Sequence, residues 1–308
     1  MLGLVNTPHG STPVELRELP EPRPAPHEAL VSVRAFGLNR GELRSFRNNE
    51  EGWVPGQDVA GVVQAQAVDG NGPRAGTRVV ALLDEAGWAE RAAAPTHRIA
   101  ALPENVSFEQ AAALPVAGIT ALRTLRYGAP LLGRRVLVTG AAGGVGHFSV
   151  QLAARSGARV TGVVGRAERA GHVREIGADD VVVGIDAAEG RFALILESAG
   201  GASLSKAVRL IEPFGTVVVF GNSSAEPSSV SFADFREGQN GRIQSFFSFT
   251  SEPEERFAPD LALLVSLVAD GSLKPRIAAE RSWREIAEVA EALRDRRIDG
   301  KAILRVQA

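Results

Sequence analysis

The sequence predicts an α/β protein: a doubly wound parallel sheet with a β-rich part ahead of it. Three observations point there. Short β-branched runs alternate with helical segments from residue 114 onward. A glycine-rich stretch, VLVTGAAGGVGHF at 136–148, follows the first of these runs. The chain before residue 114 has alternating segments broken by Pro/Gly turns instead, the texture of hairpins rather than crossovers.

In chain order, EALVSVRA (28–35) and RVVALL (78–83) read as half-buried strands, separated by turns such as PEPRPAP and DGNGPRAG. RRVLVT (134–139), ARVTGVV (158–164), DDVVV (179–183), FALILE (192–197) and GTVVVFG (215–221) read as strands apolar on both faces. That pattern belongs to a parallel sheet covered by helices on both sides. One helix is expected from Gly144 to Gly157, and a second over 167–176 that stops at Gly177. RIQSFFSFT (242–250), apolar on both faces, is expected at the edge of this sheet. PDLALLVSLVADG (259–271) reads as a helix. Ser282-Trp-Arg-Glu285 is a capping box ahead of Ile286, Val289, Ala290 and Leu293 at helical spacing. KAILRV (301–306) is a final strand whose home the pattern leaves undecided.

The 308 residues suit two domains, 44% are hydrophobic and the formal net charge is −2. This balance gives no electrostatic case for nucleic acid or an anionic membrane surface. No stretch approaches ~18 uninterrupted apolar residues, and MLGLVNTPHGSTPVEL lacks the basic and apolar regions of a signal peptide; a cytoplasmic protein is expected. There is no cysteine, which excludes disulfides, a thiol nucleophile and thiolate metal sites. His9, His27, His97, His147 and His172 show no metal-ligand spacing, so no metal is expected.

Gly140, Gly143, Gly144 and Gly146 sit where a strand turns into a helix. Such a turn presents backbone N–H groups and the positive end of a helix dipole to an anion. Following the first strand of a five-strand α/β pattern, it reads as the pyrophosphate site of a dinucleotide. At the end of the second strand, where an NAD site offers a carboxylate to the ribose 2′-OH, the chain has Gly165-Arg166, with Arg169 one turn on. Two guanidiniums there suit a 2′-phosphate, so NADPH is expected over NADH.

Taken together, AFGLNRGELR (35–44), VPGQDVAGVV (54–63), AGTRVVAL (75–82), AAALPVAGITAL (111–122), VLVTGAAGGVGHFSVQLAARSGA (136–158), IGADDVV (176–182), GTVVVFGN (215–222) and GKAILRV (300–306) resemble the medium-chain dehydrogenase/reductase superfamily, in its zinc-free quinone oxidoreductase branch. The resemblance runs nearly end to end. It implies a GroES-like catalytic domain (1–113 and 251–308) and a Rossmann domain (114–250), with the nicotinamide between them. Zinc-dependent relatives carry a cysteine near Leu38-Asn39 and a His-Glu pair in the segment reading Gly56-Gln57-Asp58 here, so zinc-assisted chemistry is disfavoured. Carried over residue by residue, the resemblance puts Asn39 beside the nicotinamide and the substrate oxygen. It puts Thr120 on the nicotinamide side of the cofactor, and Gly143, Gly144 and Val145 on the pyrophosphate. Gly165, Arg166 and Arg169 lie where 2′-phosphate readers sit. Asn222, Phe246, Phe247 and Lys301 complete the cofactor contacts.

The implied activity is NADPH-dependent reduction of a quinone or α,β-unsaturated carbonyl, with Asn39 polarising the oxygen and water supplying the proton, by a homodimer. Two alternatives stay open: an enoyl-thioester reductase of the same fold, and a non-catalytic NADPH-binding sensor. Asn39 could instead cap a turn, Phe246 and Phe247 could be core, and Arg40 and Glu42 are expected as a surface or hinge ion pair. Tyr127 is poorly placed for proton transfer, and Trp53 stands near the position of an aromatic common in the family.

Overall fold

Strand–turn alternation in the first part of the chain produces β1 (Leu2–Asn6), β2 (Val14–Glu18), β3 (Glu28–Leu38), β4 (Asp58–Ala65), β5 (Arg78–Leu82), β6 (Arg91–Pro95) and β7 (Ile99–Ala101), with helix α1 (Glu42–Asn48) between β3 and β4. Helices α2 (Phe108–Ala112) and α3 (Pro115–Leu125) follow. The alternating middle gives β8 (Arg135–Thr139), α4 (Gly146–Arg155), β9 (Arg159–Val164), α5 (Ala170–Glu175), β10 (Asp180–Val183), β11 (Phe192–Glu197), α6 (Ala202–Leu210), β12 (Ile211–Val219) and β13 (Arg242–Ser245). Then come α7 (Phe257–Ala269), β14 (Ile277–Ser282), α8 (Ile286–Arg294) and β15 (Lys301–Arg305). This computed structural model describes residues 1–8, 12–48, 50–128, 130–248 and 257–306. His9, the end of RIQSFFSFT and the expected boundary at 250/251 lie outside the described residues.

The chain divides into two compact units, Met1–Ile119 with Glu252–Ala308, and Thr120–Ser251. The first holds a seven-stranded sheet ordered β14-β15-β3-β4-β5-β7, in which β6 also pairs with β3. The long strand β3 is its spine. Along one edge, Glu28–Ser32 pairs with β6 and Ala35–Leu38 with β15; along the other it pairs with β4. Parallel strands need a crossover, and α8 supplies it between β14 and β15. Its Ile286, Val289, Ala290 and Leu293 are all buried, and the Ser282–Glu285 capping box forms. The box opens a 3-10 turn (Trp283–Glu285) before α8 itself begins. Phe36 stacks on Trp88 at 5.3 Å and meets Trp283 edge-on at 6.5 Å, in the same core as Phe46.

The second unit holds a six-stranded sheet ordered β10-β9-β8-β11-β12-β13, with every pairing parallel. Counted from its own first strand this is the order 3-2-1-4-5-6, the doubly wound arrangement expected. Leu137, Phe192, Ile195, Val208 and Val217 lie in its core. The strand order reverses at β8, so the crevice where such sheets bind ligands opens beyond the C-terminal end of that strand. β13 lies at the edge but is less apolar in its setting than expected. Its Arg242, Ile243 and Ser245 are exposed.

Candidate active site

The glycine turn occupies the switch point. β8 ends at Thr139, and α4 begins at Gly146. The Gly143 N–H donates to the Gly140 carbonyl at 2.8 Å. A Cβ on Gly146 would stand 2.1 Å from that same carbonyl oxygen, so only glycine lets the helix start against the strand end. Gly143, Gly144 and Val145 are then half-exposed at the N-terminus of a ten-residue helix. Anions are favoured there by the N–H groups and the dipole together.

Other residues named from the sequence fall beyond the C-terminal ends of neighbouring strands. After β9, Gly165 and Arg166 are exposed and Arg169 is half-buried in a 3-10 turn leading into α5. After β12, Asn222 is tied into its own loop. Its amide donates to the Glu226 carbonyl at 3.1 Å and its Oδ1 accepts from the Ser224 hydroxyl at 2.9 Å. After β13, Phe246 and Phe247 part ways. Phe246 is buried edge-on against Tyr127 at 6.4 Å, whereas Phe247 is 72% exposed. Thr120 is buried in α3, its carbonyl accepting the Thr124 hydroxyl at 2.7 Å.

Sequence reasoning missed the side chains that shape this sheet end. Glu197, fully buried, accepts from the N–H groups of Ala199 and Gly200, both at 3.0 Å, and from the Ser203 hydroxyl at 2.8 Å. The Ser198 N–H donates to Thr139 Oγ1 at 2.8 Å, clasping the turn after β11 to the end of β8. A carboxylate closing an apolar strand, followed by Ser-Ala-Gly-Gly, was the available signal.

In the first unit the structure brings Asn39 and Lys301 together, with two carboxylates. Lys301 Nζ donates to Asn39 Oδ1 at 2.6 Å and to Asp58 Oδ2 at 2.9 Å. Asn39 Nδ2 donates to the same Asp58 oxygen at 2.9 Å, and Asp58 Oδ1 accepts the Val116 N–H, in the first turn of α3, at 2.8 Å. Asp58 and Lys301 are buried, and Asn39 is half-buried. Gly37 makes room: a Cβ there would stand 2.7 Å from Asp58 Oδ2 and from the Ala112 carbonyl.

Glu42 corrects the expectation of a surface or hinge pair with Arg40. It is buried, and its carboxyl oxygens accept the Asn39 N–H at 2.7 Å and the Gln57 N–H at 3.1 Å. Burial and the nearby Asp58 carboxylate push it up to about 8, against the opposing pull of those N–H groups and of Lys301. The spacing Asn39-x-x-Glu42, half of a capping box, was the signal. Trp53 is half-buried, its indole N–H on Glu85.

A six-stranded parallel sheet in the order 3-2-1-4-5-6 with a glycine turn at its switch point is the arrangement of nucleotide-binding dehydrogenases and reductases. Residues 25–108 match the family described as alcohol dehydrogenase GroES-like domain, and 144–266 that described as zinc-binding dehydrogenase. The quinone oxidoreductases of Homo sapiens and Pongo abelii are each 32% identical over 288 residues, covering 88% of this chain and 86% of theirs. The chain belongs to the medium-chain dehydrogenase/reductase family, on the quinone oxidoreductase branch. The crystal structure of Escherichia coli quinone oxidoreductase complexed with NADPH shares the fold, with a TM-score of 0.90 and 23% identity over 99% of this chain and 100% of that one. Among the described residues no helix is long and apolar enough to cross a membrane.

Proposed function

We propose that this protein is an NADPH-dependent oxidoreductase that reduces a quinone or an α,β-unsaturated carbonyl without zinc. The observation that carries the reading is the glycine turn at the switch point, where the absence of a Cβ at Gly146 lets α4 start against the end of β8, in a chain 32% identical to quinone oxidoreductases. Gly143, Gly144 and Val145 would hold the pyrophosphate, and Gly165, Arg166 and Arg169 the 2′-phosphate. Thr120, Asn222, Phe246 and Phe247 would line the rest of the cofactor site, with Lys301 acting on it through Asn39. Residues 1–113 and 251–308 form the catalytic domain in this reading, and 114–250 the dinucleotide-binding domain.

Bound there, NADPH supplies the hydride, so the protein's task is to bind, orient and stabilise charge. Asn39 donates an amide hydrogen to the acceptor's oxygen as negative charge develops on it. Water delivers the proton. The zinc-free part is supported by the donor set: Asp58, the carboxylate of Gly56-Gln57-Asp58, is already neutralised by Lys301 and spends its oxygens on Lys301, Asn39 and Val116. The exposed Ile243 and Phe247, on and after the edge strand β13, support a homodimer joined at that edge.

The test is oxidation of NADPH and NADH in the presence of ortho- and para-quinones, linear enones and crotonyl-CoA. Quinone or enone turnover is expected with NADPH, with the preference over NADH lost in Arg166→Ala, and kcat lowered roughly 100-fold in Asn39→Ala at unchanged NADPH affinity. Turnover of crotonyl-CoA alone would move the reading to an enoyl-thioester reductase. Tight NADPH binding with no turnover would move it to a sensor.

A further inference from the structure

The family reading gives Asn39 a task but leaves open what makes an amide side chain perform it. An asparagine amide is nearly symmetric in shape, and its two ends have opposite hydrogen-bonding sense. If Nδ2 and Oδ1 exchanged places, the end facing the acceptor would change from donor to lone pair. The surroundings of Asn39 remove this freedom. Lys301, three donors and no acceptor, meets Oδ1 at 2.6 Å; Asp58, acceptors only, meets Nδ2 at 2.9 Å. The flipped amide would set N–H against ammonium and carbonyl against carboxylate.

Both partners are themselves fixed. Lys301 and Asp58 are buried and paired at 2.9 Å, and the second Asp58 oxygen is held by the Val116 N–H at 2.8 Å. The backbone of Asn39 is anchored separately, its N–H on Glu42 at 2.7 Å. One Nδ2 hydrogen goes to Asp58, and the other has no partner among the described residues.

We infer that Asp58 is a positioning residue, which together with Lys301 locks the Asn39 amide in the single orientation that presents its free N–H to the acceptor oxygen. This rests on the role proposed for Asn39. Asp58 thus keeps its charge in the interior with a buried lysine as its counter-ion.

The experiment is a double-mutant cycle of Asn39→Ala and Asp58→Asn, read as kcat and KM with an ortho-naphthoquinone acceptor and as NADPH affinity by calorimetry. Asp58→Asn is expected to lower kcat by roughly 10- to 100-fold, with NADPH affinity within about threefold of the parent. On the Asn39→Ala background the same substitution is expected to change kcat by less than about threefold, because the group it orients is gone. A double variant slowed by the product of the two single effects would overturn the inference, since Asp58 would then act on something other than Asn39. Should Asp58→Asn not fold, Lys301→Met takes its place in the cycle with the same expected non-additivity, as it removes the donor to Oδ1. Parent-like kcat in Asn39→Ala is a separate result: it removes the role of Asn39 itself, and with it the reason for the lock.

Discussion

Glu42 lies beside the buried Asp58–Lys301 pair and is the group there whose protonation the fold changes most plainly. Its usual value of 4.5 rises to about 8, so between those values the native protein holds a proton that the unfolded chain has released. Stability contributed by the neutral acid is therefore complete below about pH 4.5 and declines as pH rises toward 8. At about 1.36 kcal/mol per unit the decline is of order 5 kcal/mol at most. Glu42→Gln, which cannot ionise, should unfold at a temperature that gains on the parent as pH is raised from 5 to 8. Parallel curves would mean that Glu42 is ionised in the fold. Part of this was legible, because Asn39-x-x-Glu42 spells a helix start. The shifted protonation was not, because part of it comes from the charges of Asp58 and Lys301, which reach the same place from other parts of the chain.

Secondary structure in the middle of the chain was readable because each strand is a short apolar run bounded by a turn. The glycine turn was readable because its demand is local: Gly146 approaches a carbonyl only six residues away in sequence. Gly146→Ala should therefore displace α4, lowering NADPH affinity at least about tenfold together with a loss of a few kcal/mol in thermal unfolding. Gly165 offers the contrast, since a Cβ there meets nothing within 4 Å. Gly165→Ala should leave stability within about 0.5 kcal/mol while weakening NADPH more than NADH. Equal effects of the two substitutions on stability would contradict this division. The different fates of Phe246 and Phe247 were not readable from adjacent identical residues. Among the described residues only Phe246 finds a ring, Tyr127, to pack against, and that contact bridges over a hundred residues.

At the scale of the whole molecule, the expected homodimer predicts a light-scattering mass of twice the chain at micromolar concentration. Ile243→Lys, at an exposed position on the edge strand β13, should shift that mass to the monomer without changing the unfolding temperature appreciably. A parent monomer would remove the assembly from the proposal. The home of KAILRV, undecided by pattern, is the sheet of the first unit. There β15 pairs antiparallel with the end of β3, Ala302 opposite Leu38. This pairing sets a schedule for the protein's birth. Asn39 and Lys301 are 262 residues apart, and a ribosome adding roughly 5–20 residues per second needs tens of seconds to pass from one to the other. Throughout that interval β3 waits with half of one edge unpaired and Asp58 without its counter-charge. A chain interrupted between the end of the parallel sheet at residue 245 and residue 301 carries the whole glycine turn and still lacks the lysine that sets its asparagine, so such a prematurely terminated product would bind nucleotide more readily than it would turn it over.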